Sequence, residues 1–457
     1  MNDSIAGTIT RTYDGLNRLT SETTPQGSVS YTYDAAGRRT SMTVAGQTAV
    51  NYSYDNANRL TQITQGSSTV TYTHDAAGRR TSLTLPNGVL VEYAYDNASR
   101  LTGITYKQNG TTVLGDLTYE YDKNGNRTRT GGTFARTGVP QAIASTAYNA
   151  ANHQTTFGDK ALTYDNNGNL QTITDSSGTT TYTWNARNQL VGISGPAVSA
   201  SFVYDGLGRR EKKTINGSLT EFLYDGLNPV QETSGATILA NILPGLGIDE
   251  FLTRTDVVAG VTSSFLTDAL GSPIAVTDSS GAVQTEYSYE PFGKTTSTGA
   301  SNSSSYQYTG RENDGTGLYY YRNRYYYPQL QRFISEDPIE FDGGDINLYA
   351  YVLNNPLIFT DPSGESFKTI CRTIARRIRG GLAVIFITIC EYASGEQGPK
   401  PPREIKPPAS TAPKKGPKSI VPPVVPPPES CGRKGCPEEP PPPPFDNPEC
   451  YEVGLCI

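Results

Sequence analysis

The acidic residues most regularly placed in this chain are aspartates that follow a tyrosine. The pairs are Tyr13-Asp14, Tyr33-Asp34, Tyr54-Asp55, Tyr95-Asp96, Tyr121-Asp122, Tyr164-Asp165, Tyr204-Asp205 and Tyr224-Asp225. His74-Asp75 is a variant, and Trp184-Asn185 and Tyr148-Asn149 are degenerate members. A carboxylate repeated in this way could bind Ca²⁺ or act on a substrate. The simpler reading is that each one caps a turn by accepting nearby backbone amides. Repeated tyrosines on an open face could bind sugars, but packing within a sheet is the default. A second chemistry-bearing group is Cys431, Cys436, Cys450 and Cys456, with gaps of four and five intervening residues. These are poor zinc-ribbon spacings, and two disulfides or free thiols suit them better. The only histidines, His74 and His153, lie far upstream, so no His-assisted thiolate or nuclease chemistry is available after residue 364. No metal set and no cofactor motif is read anywhere in the chain.

The spacing of these pairs defines the elements that carry them. From Tyr13 to Tyr95 the steps are 20, 21, 20 and 21 residues, and from Tyr164 to Tyr224 they are 20, 20 and 20. Segments such as Val29–Tyr33 and Val70–His74 alternate large or branched residues with small polar ones, which is the period of a strand. Asp opens a turn, Gly or Asn three residues later supplies a positive φ, and Arg-Leu-Thr or Arg-Arg-Thr starts the return strand. Each repeat therefore predicts one β-hairpin. A lone hairpin cannot bury a face, so neighbours must pair into one continuous antiparallel sheet.

Composition agrees with that reading. In 457 residues the apolar fraction is 35%, with 46 Gly and 30 Tyr, which argues against a compact α/β enzyme core. The net charge of −6 gives no basic field to gather nucleic acid. Residues 1–364 carry 25 Lys and Arg against 34 Asp and Glu, whereas residues 365–457 carry 13 against 10. All six cysteines fall after residue 364, so disulfides cannot hold the repeats together. No signal peptide is visible at Met1-Asn2-Asp3, and the longest apolar run, Gly380–Cys390, is too short to span a bilayer. Export would then need a dedicated secretion apparatus. Repeats begin almost at Met1, so the chain reads as the truncated or displaced end of a longer shell.

The repeats resemble those of the Rhs/YD-repeat family, which includes the C component of Tc toxins and the shell of teneurins. Downstream blocks sharpen the resemblance: Asp268–Pro273, Tyr289–Gly293, Tyr308–Glu312, Thr316–Tyr320, Arg324–Pro328, Arg332–Pro338, Asn347–Tyr351 and the terminating Pro356–Gly364. The resemblance implies an all-β, spiralling antiparallel β-hairpin YD-repeat shell with a short mixed and largely disordered C-terminal tail. The expected division is repeats over 1–235, an Rhs repeat-associated core over 236–364, a variable segment over 365–398 and a Pro- and Cys-rich tail over 399–457. It further implies a toxin-delivery module in interbacterial competition, commonly through type VI secretion. Its partners would be its own C-terminal segment, a secretion apparatus and an immunity protein. The competing class is a cell-surface protein that binds glycans.

Several family members cut themselves after the terminating motif with chemistry like that of aspartic proteases. By motif position the resemblance assigns Asp337 and Asp361 as the two carboxylates and Arg324 as the group that steadies a carboxylate or the oxyanion. The cut would fall at Gly364, Glu365 and Ser366, although the family usually has Leu where this chain has Glu365. Beyond it, Phe367–Ile378 fits a basic amphipathic helix with Ile370, Ile374 and Ile378 on one face, and membrane-surface binding is its sharper alternative. Residues 399–448 hold 19 of the 31 prolines and predict an extended, polyproline-like segment.

Overall fold

The computed structural model describes residues 2–3, 7–366, 368–369, 372–377 and 384–389. These belong to a unit spanning residues 1–401; the second unit, 402–457, and with it the four clustered cysteines and most of the prolines, lies outside the described residues. Among the described residues there is no α-helix, only strands, turns and three short 3₁₀ turns.

The repeats form antiparallel ladders in which each strand pairs with its neighbours in sequence. Twelve strands, from Thr10–Tyr13 to Arg127–Gly131, make one sheet, and sixteen, from Thr146–Tyr148 to Thr295–Gly299, make another. The second sheet runs through residue 235 without a break. The two large sheets are separated between Gly131 and Thr146, where the twenty-residue period slips.

The second repeat shows why the hairpins form. Asp34 Oδ1 accepts the amides of Ala36 and Arg38 at 2.9 Å each, and Gly37 takes a φ of 81°. Arg38 Nε donates to Asp34 Oδ2 at 2.6 Å. The same guanidinium lies 4.9 Å from the ring centre of Tyr54 in the next repeat and donates to the Asp55 carbonyl at 3.3 Å. The Tyr54 hydroxyl donates back to the Arg39 carbonyl at 2.9 Å. Asp thus caps the turn, and Arg ties one repeat to the next. Trp184, in a tyrosine position, keeps the pattern: its indole N–H donates to the Leu170 carbonyl at 2.8 Å.

The inward rows of the first sheet, including Val29, Tyr31, Met42, Tyr52, Ile63 and Val70, pack on Leu223, Val230, Leu243, Leu252 and Leu266 of the second. Burial of each such side chain is worth roughly 1.5–3 kcal/mol. Polar contacts between the sheets keep pace along both. Gln26 meets Glu211, Arg39 meets Asp225, Gln47 meets Asn241 and Asn87 meets Thr277, at sequence separations of 185, 186, 194 and 190. A nearly constant separation is what a spiralling sheet requires when one winding lies on the next.

The terminating block supplies a sheet of four short strands: Glu312–Asn313, Tyr319–Tyr321, Arg324–Tyr327 and Arg332–Phe333. Alternation splits its tyrosines. Tyr320 and Tyr325 pack with Leu318 on Leu162, Leu190 and Phe202 of the second large sheet. Tyr319, Tyr321 and Tyr326 pack with Tyr308, Phe333 and Tyr351 on the other side. Arg210, fully buried, fastens the block to the repeats through Asp314 at 2.5 Å and Glu312 at 2.7 Å.

Past residue 366 the structure corrects the sequence. Of the span Phe367–Ile378, expected as a helix, the described residues are extended: Lys368–Thr369 pairs with Phe359–Thr360, and Arg372–Arg377 pairs with Val384–Ile389. The Val384–Ile389 run is rich in β-branched residues and offers a strand partner, which outweighs the four-residue spacing of isoleucines.

Candidate active site at the terminating turn

The residues assigned by motif position come together. The strand Arg324–Tyr327 carries Arg324 into the block, where it is 3% exposed and its guanidinium carbon lies 3.6 Å from the Phe333 ring centre. Arg324 Nη2 reaches Asp337 Oδ2 at 2.8 Å and Asp361 Oδ2 at 3.2 Å. Its Nε donates to the Gly364 carbonyl at 2.5 Å, and Nη1 to the Leu348 carbonyl at 3.0 Å. One cation therefore holds both carboxylates and the backbone just before the expected cut.

Asp361 grips the other side of that backbone. Its Oδ1 accepts the amides of Gly364 at 2.9 Å, Glu365 at 3.2 Å and Ser366 at 3.2 Å. The peptide between Glu365 and Ser366 is thus pinned at its nitrogen. Its carbonyl oxygen and Asp337 both border Gly343: a Cβ added there would lie 2.7 Å from Asp337 Oδ2 and 2.8 Å from the Glu365 oxygen. These groups line a small cleft with Asp345, Asn347 and Ala350.

Burial sets the protonation of the cleft. It pushes Asp337 up to about 6, against the pull of Arg324 and with help from the charge of Asp361. Burial likewise raises Asp361, while Arg324 and the three amides pull it down. Burial also raises Glu365, and the charges of Asp337 and Asp361 add to the effect. Asp337 is therefore suited to carry a proton near neutrality, and Asp361, saturated with amide donors, is suited to hold the chain.

A supporting clamp went unread in the sequence. Arg311 Nη1 donates to the Pro362 carbonyl at 3.1 Å, and Arg322 donates to the same oxygen. Both arginines pair with Asp249, at 3.1 and 2.7 Å. Gly364, at a φ of 72°, fits under the Tyr321 carbonyl where a Cβ would collide. The available signal was Arg311 inside one closing block and Arg322 between two others; nothing in the sequence tied them to Asp249.

An all-β array of Tyr-Asp hairpins closed by a tyrosine-rich terminating block defines the class of YD-repeat shells. The sequence matches the Teneurin YD-shell family over residues 89–357 and the RHS Repeat over residues 13–49 and 54–90. The chain belongs to this Rhs/YD-repeat family. It is 34% identical over 270 residues to the tRNA3(Ser)-specific nuclease WapA of Bacillus spizizenii, a match covering 56% of this chain and 11% of that protein. It is 35% identical over 101 residues to the toxin protein Tse5 of Pseudomonas aeruginosa, covering 22% of this chain and 8% of the other. Among solved structures, TcdB2-TccC3 aligns with a TM-score of 0.58 at 20% identity, covering 79% of this chain and 24% of that one. The matched region spans about a tenth of the WapA relatives.

Proposed function

We propose that this chain is the shell module of a bacterial toxin-delivery protein and that it cuts itself between Glu365 and Ser366. The shell would hold its own C-terminal segment, residues 366–457, for export through a dedicated secretion apparatus. A cognate immunity protein would protect the producing cell. The relatives named as toxins support the delivery reading. So does the packing of the repeat tyrosines: Tyr31, Tyr52, Tyr72 and Tyr182 are buried within the sheets, where a glycan binder would present them.

One observation carries the self-cleavage reading: Asp337, Arg324 and Asp361 converge on the backbone of residues 364–366. Arg324 and Asp361 fix the scissile peptide from both sides, so little orientation entropy remains to be lost. The ionised member of the Asp337–Asp361 pair acts as general base on a water that attacks the Glu365 carbonyl carbon. The proton the pair already shares passes to the Ser366 nitrogen as the C–N bond breaks, and the proton taken from the water replaces it on the pair. The products are a carboxyl at Glu365 and an amine at Ser366. Arg324 steadies the negative charge of the site throughout.

The experiment is intact mass spectrometry of the purified chain during incubation. A fragment of residues 366–457 should appear and be absent from Asp337→Asn. An uncut chain after prolonged incubation across pH 4–8 overturns the reading.

A further inference from the structure

The residue whose peptide bond would be cut is itself an acid, and it lines the cleft beside the acids that would cut it. Its backbone cannot carry it away. Arg324 holds the Gly364 carbonyl, and Asp361 holds the amides of Glu365 and Ser366. The charged groups around Glu365 are Arg324 from the strand, Asp337 and Asp345 from the following loop, and Asp361 from the terminating turn. Arg324 is the one cation among them. The local sequence adds none: from residue 333 to residue 367 there is no Lys or Arg, against seven Asp and Glu.

We propose, building on the self-cleavage reading, that the Glu365 carboxylate is a working member of the cleft: it offsets Arg324 and keeps a proton on the Asp337–Asp361 pair into the neutral range. With Arg324 alone against two aspartates, both can ionise, and no shared proton remains to pass to the leaving nitrogen. A third carboxylate held in the same half-buried cleft makes full ionisation of all three costly. The proton stays in the cluster at a higher pH, where Asp337 can exchange it with substrate. Glu365 thereby acts through Asp337 as a positioning residue for a proton; the chain supplies part of its own acid. The upward shifts of Asp337 and Glu365 agree with this direction. Cleavage then adds an α-carboxylate at Glu365 to the same cluster, and its repulsion disfavours rejoining to Ser366.

The test is the pH profile of fragment appearance in the full chain, for the unmutated protein, Glu365→Gln and Glu365→Leu, with Asp337→Asn as the inactive control. The neutral variants should still cut, with the alkaline limb of the profile moved to lower pH by about one unit. At pH 7 this reads as a loss of up to about tenfold in rate, with recovery near pH 5. A purely structural role for Glu365 would scale the rate at every pH and leave the limb in place. An unmoved limb, or one moved to higher pH, overturns the proposal and leaves self-cleavage standing. Cutting by Glu365→Leu alone, with none by the unmutated chain, also overturns it, since Glu365 would then be a block. Cutting by none of the three overturns both readings.

Discussion

Arg209 lies 5.1 Å from the ring centre of Tyr224, one repeat on, while its Nε donates to Asp205 at 2.8 Å in its own turn. Arg38 makes the same two contacts with Tyr54 and Asp34. The difference is burial. The Arg209 side chain is 5% exposed and also pairs with Glu22 of the other sheet, whereas that of Arg38 is 30% exposed. Arg209→Ala takes the cation from buried Asp205 and leaves Glu22 with Arg11 alone, and the expected cost is about 3–5 kcal/mol. Arg38→Ala loses a solvent-screened pair and should cost much less. Urea denaturation of both variants checks the order, and equal losses would mean that the repeat contacts, not the inter-sheet pair, dominate.

Asp249 pairs with both Arg311 and Arg322, the two arginines on the Pro362 carbonyl. Asp249→Ala takes the paired carboxylate from both buried guanidinium groups, with an expected loss of about 3–5 kcal/mol. The terminating turn should loosen with it. Hydrogen exchange at residues 361–366 is the direct measurement, and unchanged protection there would remove the clamp from the account.

The pH dependence of stability follows from Asp337. Its folded value, pushed up to about 6, lies above that of an unfolded aspartate. The folded state therefore binds more protons between the two values, and stability is lost as pH rises through about 6. Asp337→Asn removes the group that must ionise. The variant should melt higher than the unmutated chain at pH 8, and the gap should close by pH 4. Thermal melts at the two pH values decide it, and a gap that grows in acid contradicts the assignment.

The hairpins were legible because one residue type sets each turn. Asp34, with Gly37 behind it, dictates local geometry whatever surrounds it. The linking role of Arg38 was not legible, since its contacts lie a full repeat away. The break between Gly131 and Thr146 was hidden because Tyr121-Asp122 before it and the degenerate Tyr148-Asn149 after it still read as repeats. Asp337, Asp361 and Arg324 were found through resemblance, not spacing; only the folded block brings them to one place. The strands after residue 366 escaped because isoleucines four apart satisfy a helix, while a pairing partner must be supplied by tertiary structure.

Gly343 offers a test of the cleft that changes no charge. A Cβ there would press on Asp337 Oδ2 at 2.7 Å and on the Glu365 oxygen at 2.8 Å. Both are closer than a side-chain carbon tolerates, and both belong to the groups that must face each other for attack. Asp337 can give way only by leaving its 2.8 Å contact with Arg324. The Glu365 carbonyl can give way only by turning the peptide whose following nitrogen Asp361 holds. Gly343→Ala should therefore slow fragment release by about a hundredfold, the scale of a misplaced acid-base group. The fold should survive, because Gly343 sits at the surface end of a short 3₁₀ turn and outside the hydrophobic clusters. Near-ultraviolet circular dichroism establishes the fold, and intact mass gives the rate. A variant that is folded and cuts at the unmutated rate would place the attack somewhere other than between Asp337 and Glu365.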